Sequence, residues 1–198
     1  MRAYFEELWR DLPPDLDPPE VELRLAFLRT MLSTRDSVLD LGCGDGSFTA
    51  KIAVTSASAV GADVAEAALE RARARHPQLE FRLVPIDGPL PFGDGTFTAV
   101  WASEVIEHVA DTARWLSEAR RVLVPAGRLL ITTPSHSRLR LLLGGIERFS
   151  EPLGDHLHLY TKRSLASLLG EFGFGDVVVR AAGGPPLLRR LLLASAVR

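Results

Sequence analysis

An α/β fold built on a mostly parallel sheet is what this sequence predicts, and three observations lead to it. Apolar runs of strand length alternate with helix-period segments from Val38 to about Arg180, the order that puts helices on both faces of a parallel sheet. The first run, "VLDLGCGDGSF", passes directly from aliphatic residues into glycines at 42, 44 and 46, a strand-to-helix corner that leaves backbone open to a ligand. The length of 198 residues suits one domain with a proper core and is short for two.

The chain opens with "MRAYFEELWRDLPP", whose acids interrupt its apolar positions, so no secretory signal is expected there. The proline-rich "LPPDLDPP" leads into a helix over 20–32, with Val21, Leu25, Leu28 and Leu32 on one face, that packs on the sheet or caps the cleft. The pattern then predicts strands over 37–43, 59–64, 79–86, 97–105, 127–133 and 176–182, and helices over 47–54, 65–75, 111–123 and 161–172. Turn chemistry in "HPQ", "PAGR" and "GFGD" marks three of the helix ends. Residues 135–160 break the alternation at the carboxyl end of a strand, where open α/β sheets bind ligands, and read as a substrate lid. Inside it, "RLRLLLGGIERF" suggests a short amphipathic helix ended by Gly144 and Gly145. After the "GGPP" turn, "LLRRLLLASAVR" reads as a last strand or a short helix; a hairpin there would set a last strand antiparallel to the sixth.

Charge and composition exclude some classes. The 25 acids outweigh 23 bases for a net charge of −2, Lys51 and Lys162 are the only lysines, and no basic stripe marks a nucleic-acid footprint. Cys43 is the single cysteine, which rules out an intrachain disulfide and fits a reducing compartment. No stretch approaches the roughly 20 apolar residues of a membrane span. A cytoplasmic protein without stable membrane insertion is expected.

Two ligand classes use such a corner: dinucleotides, and adenosine-bearing cofactors without a pyrophosphate. The dinucleotide fingerprint spaces its glycines GxGxxG, whereas this chain has GxGxG. Asp40, at the strand end, directs negative charge at the site, awkward for a pyrophosphate and helpful for an ammonium or sulfonium. Asp63 closes the second strand in "VGADV", about 20 residues after the corner, where an acid accepts hydrogen bonds from ribose hydroxyls in either class.

Five segments in order, "VLDLGCGDG", "VGADVAEAALERARAR", "LPFGDGTFTAVWASEVIEHV", "RVLVPAGRLLITTP" and "HLHLYTKRSLASLLGEFGF", resemble the class I S-adenosylmethionine-dependent methyltransferases, in particular the group that includes quinone-biosynthesis enzymes. The resemblance runs from about Val38 to Val178. It implies a Rossmann-like seven-stranded sheet, mostly parallel with the last strand antiparallel and helices on both faces. The chain is expected to form a single domain, with a helical cap (1–36), a cofactor-binding core (37–134), a substrate lid (135–160) and a C-terminal helix with strands (161–198). The resemblance implies that Asp40, Gly42, Cys43, Gly44 and Gly46 surround the methionine part of S-adenosylmethionine, that Asp63 and Val64 lie at the ribose, that Asp87 and Gly88 approach the adenine, and that Ser103 or Glu104 lies beside the reacting methyl. The chain departs from the pattern in three places. Only Gly88 and Pro89 separate Asp87 from "LPF", Thr98 follows Phe97 where relatives often have "FD", and Ala126 replaces the first glycine of a common "PGG".

Methyl transfer from a sulfonium is an in-line displacement that needs positioning above all, with a base where the acceptor is a hydroxyl or ammonium. Glu104 and His108 in "EVIEHV" are four apart and share a face if the segment is helical, which makes His108 the first candidate for a base or substrate contact; in the alternative, His108 caps or packs at the strand-to-helix junction with Glu107 solvated. His156 and His158 alternate in "GDHLHLY" and face the same way on an extended segment; with His136 and Tyr160 they are candidate substrate contacts. Asp155 and Glu104 would complete a ligand set with these histidines, but HxH without a cysteine pair does not define a site, and no metal is expected. Trp101, within an apolar strand, reads as core. The expectation is an enzyme that methylates an oxygen or nitrogen of a small molecule. The rivals are a protein that binds the cofactor without catalysis and an NAD-dependent oxidoreductase.

Overall fold

Seven strands follow the aliphatic runs: β1 (Ser37–Leu41), β2 (Ser58–Asp63), β3 (Glu80–Leu83), β4 (Phe97–Ser103), β5 (Leu123–Pro134), β6 (Gly175–Ala182) and β7 (Leu191–Val197). Helices α1 (Arg2–Asp11), α2 (Val21–Met31), α3 (Ser47–Thr55), α4 (Glu66–Arg75), α5 (Thr112–Val122) and α6 (Lys162–Glu171) accompany them, with a 3₁₀ turn at Ile106–His108. The computed structural model describes residues 2–13, 20–86, 88–137, 139, 141–142 and 156–198. The expected helix in "RLRLLLGGIERF", with its glycines, lies almost wholly outside the described residues, as do Asp87 and Asp155.

The sheet order is β3-β2-β1-β4-β5-β7-β6. Strands β1 to β5 pair in parallel, and β7 runs antiparallel to both β5 and β6. The order reverses at the β1–β4 seam, so connections leave the two strands in opposite directions and open a crevice at their carboxyl ends.

Strand periodicity distributes the core to two faces. Leu39, Leu41, Val100, Ala102, Leu129 and Ile131 pack with Leu116 and Ala119 of α5 and Leu165 and Leu169 of α6. The intervening Val38, Ala99, Trp101 and Leu130 pack with Leu25 and Leu28 of α2 and Phe48 and Ile52 of α3. Trp101 is fully buried between Phe27 and Phe48, in the core as expected.

Several boundaries differ for visible reasons. The first strand stops at Leu41 because Gly42, at φ 82°, already belongs to the corner. The third ends at Leu83, before Pro85, which has no amide proton for the ladder. The fourth ends at Ser103 because Glu104 takes φ 55°. Strand β5 begins directly after α5, and "PAGR" is absorbed as an irregularity in the β4–β5 register rather than a free turn. Ala126 there stands at φ 62°, where an L side chain is strained and a glycine would not be. "LLRRLLLASAVR" supplies β7, a strand and not a helix. Helix α1 has no counterpart in the sequence reading beyond the general expectation of a helical cap.

Candidate functional site

The crevice is built first from the corner after β1. Gly42 and Cys43 donate their backbone N–H groups to the Ala62 carbonyl at 2.7 and 3.0 Å, tying the corner to β2. Gly44 sits at φ 55°, and a Cβ there would come 2.5 Å from the Trp9 ring, so both conformation and space require glycine. Asp45 accepts from the Ser47 amide and hydroxyl at 3.1 and 2.7 Å and so starts α3.

Two buried carboxylates lie at this end. Asp63 Oδ2 accepts from the Gly44 amide and Oδ1 from the Ala65 amide, both at 2.9 Å, so one side chain ties the corner to the start of α4. Burial nevertheless pushes its carboxyl above the usual range. Asp40 accepts from the Thr49 hydroxyl at 2.6 Å, and burial pushes its carboxyl up to about 7. The Cys43 thiol is buried beside them and pushed up for the same reason, which leaves it protonated and unreactive.

The other end is built from the segment after β4. The Glu104 amide donates to the Thr132 carbonyl at 2.9 Å, and its carboxylate lies 3.2 Å from Arg24 Nη2. Arg24 is 2% exposed, and its Nε has no hydrogen-bond partner among the described residues. His108 follows on the 3₁₀ turn, with Phe5 edge-on at 6.0 Å and the His156 ring at 4.8 Å. Glu107, in solvent in the alternative that makes His108 a simple cap, is fully buried instead: the short 3₁₀ turn points it inward, where Oε2 accepts from the Thr133 hydroxyl at 2.9 Å. Burial, with the Glu104 carboxylate nearby, pushes the Glu107 carboxyl well above the usual range.

Helix α1 closes the crevice. Glu6 accepts from the Glu66 and Ala67 amides at 2.8 and 3.0 Å and so caps α4 from outside its own chain segment. These bonds hold its carboxyl below the usual range. Phe5, Leu8, Trp9 and Leu12 thereby face a cleft of about 390 Å³.

Most of the expected site residues converge there. Asp40, Gly42, Cys43, Gly44, Asp63, Val64, Ser103, Glu104 and His108 line the cleft. Gly46 instead shapes the turn against Phe81, and Gly88 lies against Pro85. His158 Nε2 sits 2.9 Å from the Val109 carbonyl and 3.2 Å from the Thr112 hydroxyl, tying its segment to the start of α5. His136 and Tyr160 bond each other: the His136 amide donates to the Tyr160 carbonyl at 2.8 Å, and the Tyr160 amide donates to His136 Nδ1 at 3.1 Å. Burial pushes the Tyr160 phenol up to about 12. Two contributions were missed from sequence. Arg24 occupies the i+3 place in the apolar stripe of α2, between Val21 and Leu25, and Phe5, Leu8, Trp9 and Leu12 form an i, i+3, i+4, i+7 stripe that announces α1.

Comparison with known proteins gives this geometry a context. A family model described as a methyltransferase domain matches residues 8–179. The chain is 31% identical over 156 residues to a probable S-adenosylmethionine-dependent methyltransferase of Mycobacterium tuberculosis, covering 79% of this chain and 55% of that protein. It is 33% identical over 123 residues to the human mitochondrial ubiquinone biosynthesis O-methyltransferase, covering 59% of this chain and 33% of that one. The chain thus spans about half or less of the length of these curated relatives. In fold it is similar to magnesium protoporphyrin IX methyltransferase from Synechocystis, solved with bound S-adenosylhomocysteine, at a TM-score of 0.73 and 19% identity, covering 100% of this chain and 97% of that one. Among the described residues no helix is long and apolar enough to cross a membrane.

Proposed function

The chain belongs to the class I S-adenosylmethionine-dependent methyltransferase family, and from that premise we propose that it binds S-adenosylmethionine over the glycine corner and directs the methyl group to an oxygen or nitrogen of a small molecule. The observation that carries this reading is the arrangement of Asp40 and Asp63. Each Asp63 oxygen has one bond to a backbone amide, which leaves lone pairs on both for ribose hydroxyls. Asp40 places a second buried acid at the same end, a setting that repels a diphosphate and gains from a ligand carrying an ammonium.

The residues present fit this cofactor. Side chains at Gly42 or Gly44 would fill the cradle, and the Arg24 guanidinium, buried on the cleft wall with its Nε unpartnered, is suited to the carboxylate end of the amino-acid moiety. When bound, the cofactor supplies a sulfonium-activated methyl group for in-line displacement. The chain's own work is then positional. Phe5, Leu8, Trp9 and Leu12 keep water from the cleft, and His108, at the opposite end from Asp63, contacts the acceptor or takes its proton.

The cleft volume and aromatic lining suit a small-molecule acceptor, and the absence of a basic stripe disfavours nucleic acid. Oxygen is the preferred acceptor atom because His108 offers a base, and the name of the human relative points the same way. A cytoplasmic location is part of the same reading. The test is incubation of the purified chain with methyl-labelled S-adenosylmethionine and a small-molecule extract. Label in an extractable small molecule, lost with Asp63→Ala, supports the reading. Label confined to protein or nucleic acid overturns it.

A further inference from the structure

We infer that two copies of this chain join at the β6 edge of the sheet, with β6 pairing antiparallel to the β6 of the partner about a twofold axis and the two α6 helices side by side above the seam. The two edges of the sheet are finished differently. Strand β3 is four residues long, carries the paired Glu80 and Arg82, and is followed by Pro85, all devices that keep an edge from pairing. Strand β6 is eight residues long, contains no proline and has valines at 177, 178 and 179, with Val178 46% exposed. The irregularity between Gly175 and Val178, where Asp176 takes φ 46°, turns aside only the start of the strand. Beyond it, the outward N–H and C=O groups are open to a further strand.

Charge selects a second copy as that strand. Val177, Val179 and Ala181 pack on the core beneath α6, while Asp176, Val178 and Arg180 are exposed. In the antiparallel register that sets Val178 against itself, Asp176 stands next to the partner subunit's Arg180, and Arg180 next to the partner subunit's Asp176. Both cross-strand pairs are then of opposite sign, whereas the register that sets Arg180 against itself brings like charges together. Within one chain, neither Asp176 nor Arg180 has an ion pair or a side-chain hydrogen bond among the described residues.

Helix α6 carries the same complementarity. Its only charges are Lys162 and Arg163 at the start and Glu171 at the end, the reverse of what the helix dipole favours. All three are exposed, and of the three only Glu171 has a side-chain bond among the described residues, from the Ser167 hydroxyl at 3.1 Å. A second α6 running antiparallel beside the first sets Glu171 near the partner subunit's Lys162 and opposes the two dipoles. The spacing allows it. Helix α6 packs on both β6 and β7, so across a β6–β6 seam the two helices stand about two strand spacings apart, roughly 10 Å, a normal distance for packed helices. The seam is at the sheet edge, away from the β1–β4 crevice, so pairing leaves the cleft open whatever it binds. One strand and one helix from each subunit make a small interface, which fits a dimer of micromolar affinity.

The experiment is sedimentation velocity of the untagged full chain from roughly 1 to 200 µM, with a melting curve for every variant. A shift from one to two chain masses with a micromolar midpoint is expected. Val178→Lys should weaken the dimer at least tenfold, and so should Lys162→Glu combined with Arg163→Glu. That combination follows the dipole and should leave the monomer as stable as the parent or more so. Adding Glu171→Arg to it should restore the dimer to within threefold of the parent, while Glu80→Lys on the opposite edge should change nothing. If Val178→Lys fails to fold, the exposed α6 charges decide by themselves. A chain that stays monomeric throughout overturns the site and leaves the edge to a strand of a different protein. A dimer that survives Val178→Lys, that does not recover in the triple variant, or that is lost with Glu80→Lys overturns it equally.

Discussion

The two ends of the cleft are held together in different ways. At the glycine corner, side-chain carboxylates and backbone amides of neighbouring segments bond directly: Asp63 to Gly44 and Ala65, and the Gly42 and Cys43 amides to Ala62. At the His108 end, the chemistry-bearing groups come from α2, the turn after β4 and the segment before α6, joined through Arg24–Glu104, Thr133–Glu107 and the His108–His156 ring contact. The first end lies within one β-α-β unit, its partners about 20 residues apart, and the second joins segments up to 80 residues apart. A corner built locally suits a ligand shared by a whole family, and the tertiary end is free to vary with the acceptor.

The strongest way to break this comparison is Asp63→Ala. It removes the acceptor for two amides at once, each costing about 1–3 kcal/mol when left unsatisfied in a buried place. Thermal melting should fall by roughly 5–20 °C for a chain of this size, and cofactor affinity should fall at least tenfold. An unchanged melting point would show that the corner does not depend on the carboxylate.

His108→Ala probes the opposite end. Turnover is expected to drop about 100-fold, with cofactor affinity within twofold of the parent, as read by kcat against a separate binding titration. Loss of cofactor binding instead would move His108 to the corner end of the comparison.

A smaller effect concerns pH. Asp40 titrates near 7 in the folded chain, above the ordinary carboxylate range, so between about pH 4 and 7 the folded state holds a proton that the unfolded chain has released. Its contribution to stability is present below that window and is lost as pH rises through it. Affinity for a ligand with an ammonium group should rise over the same window, by up to about tenfold per pH unit well below 7 and levelling off above it, because the ionised form is the one that pairs with it. Denaturation and titration of Asp40→Asn, which keeps the shape and the Thr49 bond, should show both slopes flattened; slopes that persist would assign them elsewhere.

The smallest effect lies outside the cleft. Ala126→Gly should raise stability by about 0.5–1 kcal/mol by relieving a left-handed alanine, seen as a melting shift of about 2–4 °C without any change in ligand binding. A fall in stability would mean that the β5 irregularity does not need that conformation.

The same local-against-tertiary division decides what could be read from sequence. The corner, Asp40 and Asp63 sit at strand ends whose position is set by aliphatic runs, and the alternation of those runs carried the sheet and its two helical faces. Arg24 and Glu107 look like surface residues in sequence because a charge is ordinarily solvated. Only the packing of α2 and the tight 3₁₀ turn bury them. Helix α1 carried a readable apolar stripe, but its role depends on Glu6 reaching the α4 amides, 60 residues away. The β5 boundary moved because α5 passes into the strand without a loop, and a strained Ala126 takes the place of a turn.

The measurement that bears most directly on this account is calorimetric titration of the chain with S-adenosylmethionine, S-adenosylhomocysteine and NAD side by side. The corner geometry predicts micromolar binding of the first two and none of NAD. Binding of NAD, or of none of the three, would contradict the assignment of Asp40 and Asp63 to a cationic, adenosine-bearing cofactor.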